Sequence, residues 1–597
     1  KNKKLRLKII MQRITVKNKN FYKDGKLHYV YSGAIHYFRV LPSCWRDRLE
    51  KIKNCGFNAI ETYTCWSLHE RKEGQFDFSG GLDLARFIDI AEETGLDVII
   101  RPGPYICAET DFGGMPSWLL NYSGIGLRSY DRIFLEKTER YFKELAKIIV
   151  PRLAANGGPV QMIQIENEYG SYGNDEKYKR ALLEIWKKLG ADTLFFTADG
   201  SDFDMQQNGG MDGVMRSMTF GSRPTVCLEG LKRYGENQPL FCSEYWNGWF
   251  NTYGSDAALC EVERVKNETA EFLSLGSSFN YYMFCGGTNY GMINGANYND
   301  DYMFQTTSYD YCAPISESGD LTEKYYAIKD EIEKYTGKKI DISVKNSEKK
   351  AYSAIKACGF LPLESVLGDV KSEKSPYPLS FEKLGVDFGY VYYTTEFDVW
   401  LDGKIKLFGL RDRATVIIDG NICGVIGQGT GCSEIELTVE RYGGHRKLGV
   451  LVENRGRCNY GPRLKDGKGL SGVLFRDKYL LNYENYPLVA KVPENAEYKS
   501  VESGGVGFYK FNLNISDFPC DTFLYPAGFK NGCVYINGVN IGRFCHTQPP
   551  QRTLYVSASL LKKGENEIIV FDTDGTADPT LEFFDKPFYA EIADKRR

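Results

Sequence analysis

The chain has 597 residues, 42% of them hydrophobic and 26% charged, with a net charge of −3, which suits a soluble protein with several cores. That balance speaks against a nucleic-acid or other polyanion partner, so the basic runs at 1–8 and 345–350 read as solvated tails or linkers. No segment reaches the roughly 18 apolar residues of a membrane span, and the basic N-terminus lacks the apolar run of a signal peptide, with Met11 a candidate start.

From about 28 to 335, apolar strand-like runs alternate with amphipathic helical ones. Candidate strands lie at 30–35, 57–63, 97–101, 160–166, 194–198, 240–244 and 279–284, with a poorly defined one between 212 and 230. Leu84, Phe87, Ile88 and Ala91 fall at helical spacing and Gly95 follows as a stop; Phe134, Phe142, Leu145, Ile148 and Ile149 mark another helix near 133–150. Repeated βα units without a Gly-rich phosphate loop after the first strand predict an α/β fold, an eight-stranded (β/α)8 TIM barrel, over 12–335. Residues 336–379 read as a linker leading into a β region. Short alternating runs punctuated by turn signals then predict two all-β sandwich domains, 380–490 and 491–597. Val416–Gly420 (VIIDG) and Val534–Gly538 (VYING) are similar pieces, one in each.

Sixteen cysteines without CxxC spacing predict reduced, mostly buried thiols and a cytoplasmic enzyme. The sequons at Asn121, Asn267 and Asn514 carry little weight without secretion. Five histidines without ligand spacing predict no zinc site.

Two strings carry the chemistry: QIENEYG at 164–170 and SEYWNGW at 243–249. Each follows a buried strand, and in a barrel the strand C-termini form the site. Glu168 lies past the fourth candidate strand and Glu244 ends the seventh, across the barrel mouth. A pair of carboxyl groups about 5–5.5 Å apart, one protonated and one ionised, is what a retaining glycosidase needs. Aromatic and amide neighbours (Asn167, Tyr169, Tyr245, Trp246) favour this over surface ion pairing, the plain alternative for any glutamate.

The ordered strings SGAIHYFR (32–39), ETYTCWSLHE (61–70), RPGPYICAE (101–109), QIENEYGSYG (164–173), FCSEYWNGWF (241–250), GGTNYG (286–291), TSYDYCAP (307–314) and NYGPRLKDGKGLSG (459–472) resemble glycoside hydrolase family 35 β-galactosidases over nearly the whole chain. The resemblance implies an exo-acting, retaining β-galactosidase that needs no cofactor. It makes Glu168 the acid/base, Glu244 the nucleophile, and Asn167 the partner of the sugar 2-hydroxyl. It places Tyr63, the backbone of Cys107 and Ala108, and Glu109 around the 3-, 4- and 6-hydroxyls. Tyr282 would orient the nucleophile, Tyr311 would lie near the 6-hydroxyl, and Trp249 and Trp246 would contact the ring face. Glu166 is expected to support the site, Asp310 to be a structural hydrogen-bonder rather than a third catalytic acid, and Cys107 to shape the pocket. Three positions depart from the family pattern: Thr110 replaces an aromatic, Cys285 a His and Cys312 an Asp. Thr110 is expected to open a pocket wall. Rival readings are a β-glycosidase or transglycosylase of other specificity, and a carbohydrate-binding protein without catalysis. The expected partner is an oligosaccharide or glycoconjugate, and the sandwich domains are expected to brace the barrel, shape the cleft or form a homodimer contact.

Overall fold

The structure, a computed structural model, describes residues 13–590 apart from 236–237, 429, 433, 439–443, 489–495 and 502–503. Eight parallel strands close into a barrel: β1 (Tyr31–Ala34), β2 (Ala59–Tyr63), β3 (Asp97–Arg101), β4 (Val160–Gln164), β5 (Leu194–Gly200), β6 (Met215–Phe220), β7 (Phe241–Trp246) and β8 (Ser278–Tyr282). Closure comes where β8 pairs with β1, Phe279 opposite Tyr31. Helices cover the outer face, so strands such as Asp97–Arg101 are buried along their whole length and read as continuous runs rather than alternations. The strand left poorly defined, β6, buries the polar Arg216, Ser217 and Thr219 among its apolar residues. Ser217 Oγ donates to Thr197 O at 2.8 Å and lies 2.6 Å from Ser243 Oγ, so this stave is satisfied by hydrogen bonds that hydropathy does not register.

The helix Leu84–Thr94 starts where Asp83 accepts from Arg86 N and stops at Gly95, whose φ of 79° needs no Cβ penalty. The helix Arg132–Ile149 is capped by Asp131 on Phe134 N and buries Phe134, Phe142, Leu145 and Ile149. An antiparallel meander (Ile14–Lys17, Asn20–Lys23, Lys26–His28) plugs the end where the strands begin, with Ile14 and Phe21 packed on Met162, Phe196 and Phe241. The opposite end stays open for chemistry.

Two sandwiches follow. In the first, a six-stranded sheet faces a four-stranded one over Val391, Tyr393, Val416, Val450 and Val473. In the second, five- and four-stranded sheets enclose Tyr509, Phe511, Val534, Ile568 and Val570. The segment read as a linker supplies strands Ile355–Lys356 and Gly359–Pro362 to the second sandwich, the latter pairing with Gly507–Ile515. The chain thus enters the second sandwich before building the first. The two similar pieces are equivalent hairpin turns: Asp419-Gly420 (φ 50° and 82°) and Asn537-Gly538 (φ 47° and 85°), as two-residue hairpins favour.

The expectation of thiols throughout is corrected at one pair: Cys260 and Cys312 form a disulfide, with Cα atoms 5.4 Å apart. The other fourteen cysteines are free, eight of them buried. With that pair oxidised, cysteine usage no longer argues for a reducing compartment.

Candidate active site

Glu244 lies in β7 at a register shift between Cys242 and Tyr245, which turns its side chain into the barrel mouth. Arg101, the last residue of β3 and fully buried, places Nη2 2.5 Å from Glu244 Oε1. Tyr63, at the end of β2, sets its hydroxyl 2.7 Å from the same oxygen, and Trp246 donates from Nε1 to Oε2 at 3.1 Å. One guanidinium and two further donors thus orient the Glu244 carboxyl. Beneath it, Glu61 is raised to about 7 because burial outweighs the attraction of Arg101, and Arg101 therefore serves Glu244 above all.

Glu168 follows β4 on a turn in which Glu166 and Glu168 both adopt left-handed φ, 59° and 45°. That conformation costs a non-glycine residue about 1–3 kcal/mol and needs outside support. Arg128 supplies it, gripping Glu166 at 2.9 and 2.8 Å and donating to Asn167 O at 2.7 Å, while Tyr178 OH reaches Glu166 at 3.0 Å. Glu166 thus has its oxygens spent on the turn and, being 1% exposed, does not meet a ligand. The Glu168 carboxyl accepts from Thr219 Oγ1, at 2.7 Å. Burial first, and the charge of Glu244 second, push its carboxyl up to about 8. Asn167 sits between the pair: its Oδ1 is 2.6 Å from Arg101 Nη2 and 2.9 Å from Tyr63 OH, which fixes which face of the amide donates.

The third wall is Cys107–Glu109, three consecutive residues at φ 53°, 50° and 49°. The Cys107 carbonyl is taken by Thr110 Oγ1 at 2.9 Å and that of Ala108 by Arg39 at 2.5 Å. Glu109 is bonded by Tyr309 OH, and burial raises its carboxyl to about 7. Cys107 Sγ accepts from Asn459 at 3.4 Å, and burial holds its thiol well up, as fits a shaping residue rather than a nucleophile. Tyr282 packs edge-on to Tyr63 (6.1 Å between centroids) and to Tyr311 (5.7 Å). The Tyr311 ring also lies 5.5 Å from Tyr309 and 6.4 Å from Trp249, and burial, with the charges of Glu109, Glu244 and Glu168 after it, raises its phenol well above the usual range. Trp249 stands at the mouth, 46% exposed, edge-on to Trp246. Asp310 uses Oδ2 to accept Glu317 N at 2.7 Å, a structural bond.

Every predicted site residue therefore falls on one mouth. Of the departures, Thr110 does not open a wall: it is 1% exposed, with its hydroxyl turned onto Cys107 O. Cys285 bonds Gly286 O at 3.3 Å and has Arg48 and Lys51, not the carboxylate pair, as its main charged neighbours. Residues missed by sequence reasoning are Arg101, Thr219, Tyr309 and two from beyond the barrel, Asn459 and Tyr460. Strand Cys458–Tyr460 pairs in parallel with the barrel excursion Ala296–Asn299, which brings the half-exposed Tyr460 into the field of Glu168. The string NYGP was visible, but nothing local told which side of the molecule it would face.

A (β/α)8 barrel carrying one buried, raised carboxyl beside a second bound by an arginine, among tyrosines and tryptophans, defines a glycoside-hydrolase type of site. Comparison with known proteins agrees. The profile of glycosyl hydrolases family 35 matches residues 20–335, that of the beta-galactosidase first all-beta domain 378–489, and that of the beta-galactosidase galactose-binding domain 506–566. The chain is 36% identical over 611 residues to Beta-galactosidase-1-like protein 2 of Homo sapiens, covering 98% of this chain and 93% of that one. It is equally identical, at 36%, to Beta-galactosidase of Bos taurus over 627 residues, 98% of this chain and 95% of the other. Beta-galactosidase 1 of Dictyostelium discoideum is again 36% identical, over 94% of this chain and 91% of its own length. The chain belongs to glycosyl hydrolase family 35 and is a glycoside hydrolase.

Proposed function

We propose that the enzyme is an exo-acting β-galactosidase that works with retention through a covalent glycosyl-enzyme. The observation that carries this reading is the opposed state of the two carboxyl groups: Glu244 is bound by Arg101, while Glu168, buried beside it, is raised to about 8. Near neutral pH one is a ready nucleophile and the other a ready acid. Glu244 attacks the anomeric carbon as Glu168 protonates the departing oxygen, leaving a glycosyl ester. Glu168, now ionised, takes a proton from water, which attacks the same carbon and releases Glu244. Asn167, its Oδ1 already occupied, presents Nδ2 to the 2-hydroxyl, where the bond tightens as positive charge develops on the ring. A galactosyl preference is supported by the names of the relatives and by the pocket of Tyr63, Glu109, Tyr282 and Tyr311.

The test is stereochemical. NMR of an aryl β-D-galactoside digest should show β-galactose first, with the α anomer appearing only by mutarotation. With the nucleophile replaced (Glu244→Gln), turnover should fall by about 10³-fold or more. An α-first product would overturn retention, and at least tenfold better turnover of another glycoside would overturn the sugar assignment.

A further inference from the structure

Cys312, one of the departures from the family pattern, directly follows the pocket residue Tyr311 and is covalently engaged. Its partner, Cys260, ends an irregular arm that leaves β7 at Asn247 and runs to the helix Val262–Ser274. The start of this arm is anchored by backbone bonds, Tyr253 N to Phe304 O at 2.8 Å and Gly254 N to Pro549 O at 2.6 Å. Its far part exposes Leu259 (81%) and is tied back by Ala258 N on Asn251 Oδ1 at 2.7 Å and by the disulfide. On the other side of the S–S bond, Tyr311 and Cys312 occupy successive left-handed conformations, φ 62° and 49°. Two further ties meet there. Lys324 Nζ donates to Asn247 O and to Cys312 O, both at 2.6 Å, and Gly248 lies so close that a Cβ would come within 1.8 Å of Tyr311 O. Tyr311 in turn fills the space between Tyr282 and Trp249.

We propose that the Cys260–Cys312 disulfide is a specificity-determining cross-link: it holds the Tyr311 wall of the sugar pocket, and its reduction loosens that wall without displacing Glu168 and Glu244. The carboxyl pair is fixed by Arg101, Thr219 and the Arg128 clamp, none of which touches the staple. The inference rests on the glycosidase reading above and on Tyr311 facing the hydroxymethyl side of the sugar. Cys260 is the exposed sulfur, so a dithiol attacks there; Cys312 leaves as thiolate and takes up a proton. The second thiol of the reagent then displaces Cys260, so that two electrons and two protons pass to the enzyme and the reagent ends as a cyclic disulfide.

The experiment compares the untreated enzyme, the dithiothreitol-reduced enzyme and Cys260→Ser with p-nitrophenyl β-D-galactopyranoside and α-L-arabinopyranoside, which lacks the hydroxymethyl group. Peptide mapping after alkylation should label Cys260 and Cys312 only after reduction. Loss of the staple should raise KM for the galactoside about fivefold with kcat within about twofold, and leave the arabinoside unchanged. Cys260→Ser should match the reduced enzyme and ignore dithiothreitol. Labelling of both cysteines before reduction, or an unchanged galactoside KM after it, overturns the proposal. If the stapled enzyme hydrolyses neither glycoside, the proposed function fails separately. Hydrogen exchange over 308–313 then decides the staple: faster exchange on reduction supports it, and unchanged exchange overturns it.

Discussion

At the scale of single residues, Arg101 is the side chain on which the site turns. It is shared by Gln164, Asn167 and Glu244, with Glu61 a further 3.7 Å from its Nε. A lysine keeps the charge but cannot reach several acceptors from one rigid plane. Arg101→Lys should therefore lower kcat roughly 10²-fold or more while KM moves by less than about threefold, as steady-state kinetics would show. Glu168 sets a second expectation. As the proposed general acid, with its carboxyl raised to about 8, it stays protonated through neutrality, so kcat/KM should fall on the alkaline side with an apparent pKa close to 8. With Thr219→Val the hydrogen bond that favours the ionised form is gone, and the alkaline limb should move to higher pH.

At the scale of elements, the turn after β4 shows how strain is held. Its two left-handed glutamates depend on the Arg128–Glu166 pair, both members of which are buried. Breaking such a pair from one side leaves an uncompensated charge and costs about 3–5 kcal/mol. Arg128→Met should lower the melting temperature by several degrees and kcat with it. Adding Glu166→Gln should recover part of the stability but not the rate, because the turn still lacks its clamp. A double variant that regained full activity would show that the clamp serves stability alone.

At the scale of the whole molecule, buried ion pairs weld the barrel to the β domains. Arg457 bonds Asp111 of the barrel and Glu382 at the edge of the first sandwich, and Arg543 of the second sandwich bonds Glu453 of the first. Arg457→Leu should destabilise by about 3–5 kcal/mol, read from denaturant unfolding, and should disturb the site through the neighbouring Asn459 and Tyr460. The same burial shapes pH dependence. Glu61, Glu109 and Asp199 are raised to about 7, and Glu168, Glu317 and Asp572 to about 8. The folded chain therefore binds more protons than the unfolded one across this window. The stability these groups confer is complete below about pH 4 and is lost as pH rises through 7 and 8, so melting temperatures should fall between pH 5.5 and 8.5.

The barrel, the sandwiches and the carboxylate pair were all legible in the sequence, because each is written in local terms. Buried strands appear as apolar runs, a helix stop as Gly95, and the glutamates as polar interruptions at strand ends. What lay beyond reach depends on contacts distant along the chain. The polar stave β6 is satisfied by partners on β5 and β7, and Gly359–Pro362 pairs with a strand some 150 positions later. Cys260 finds Cys312 across 52 positions, and strand Cys458–Tyr460 comes from another domain to pair with the barrel excursion Ala296–Asn299. Strand and helix periodicities report which face a residue turns inward, whereas only the folded chain decides what it meets there. The class of enzyme, a glycoside hydrolase, was therefore readable from residues 164–170 and 243–249, and the distant contacts that surround them were not.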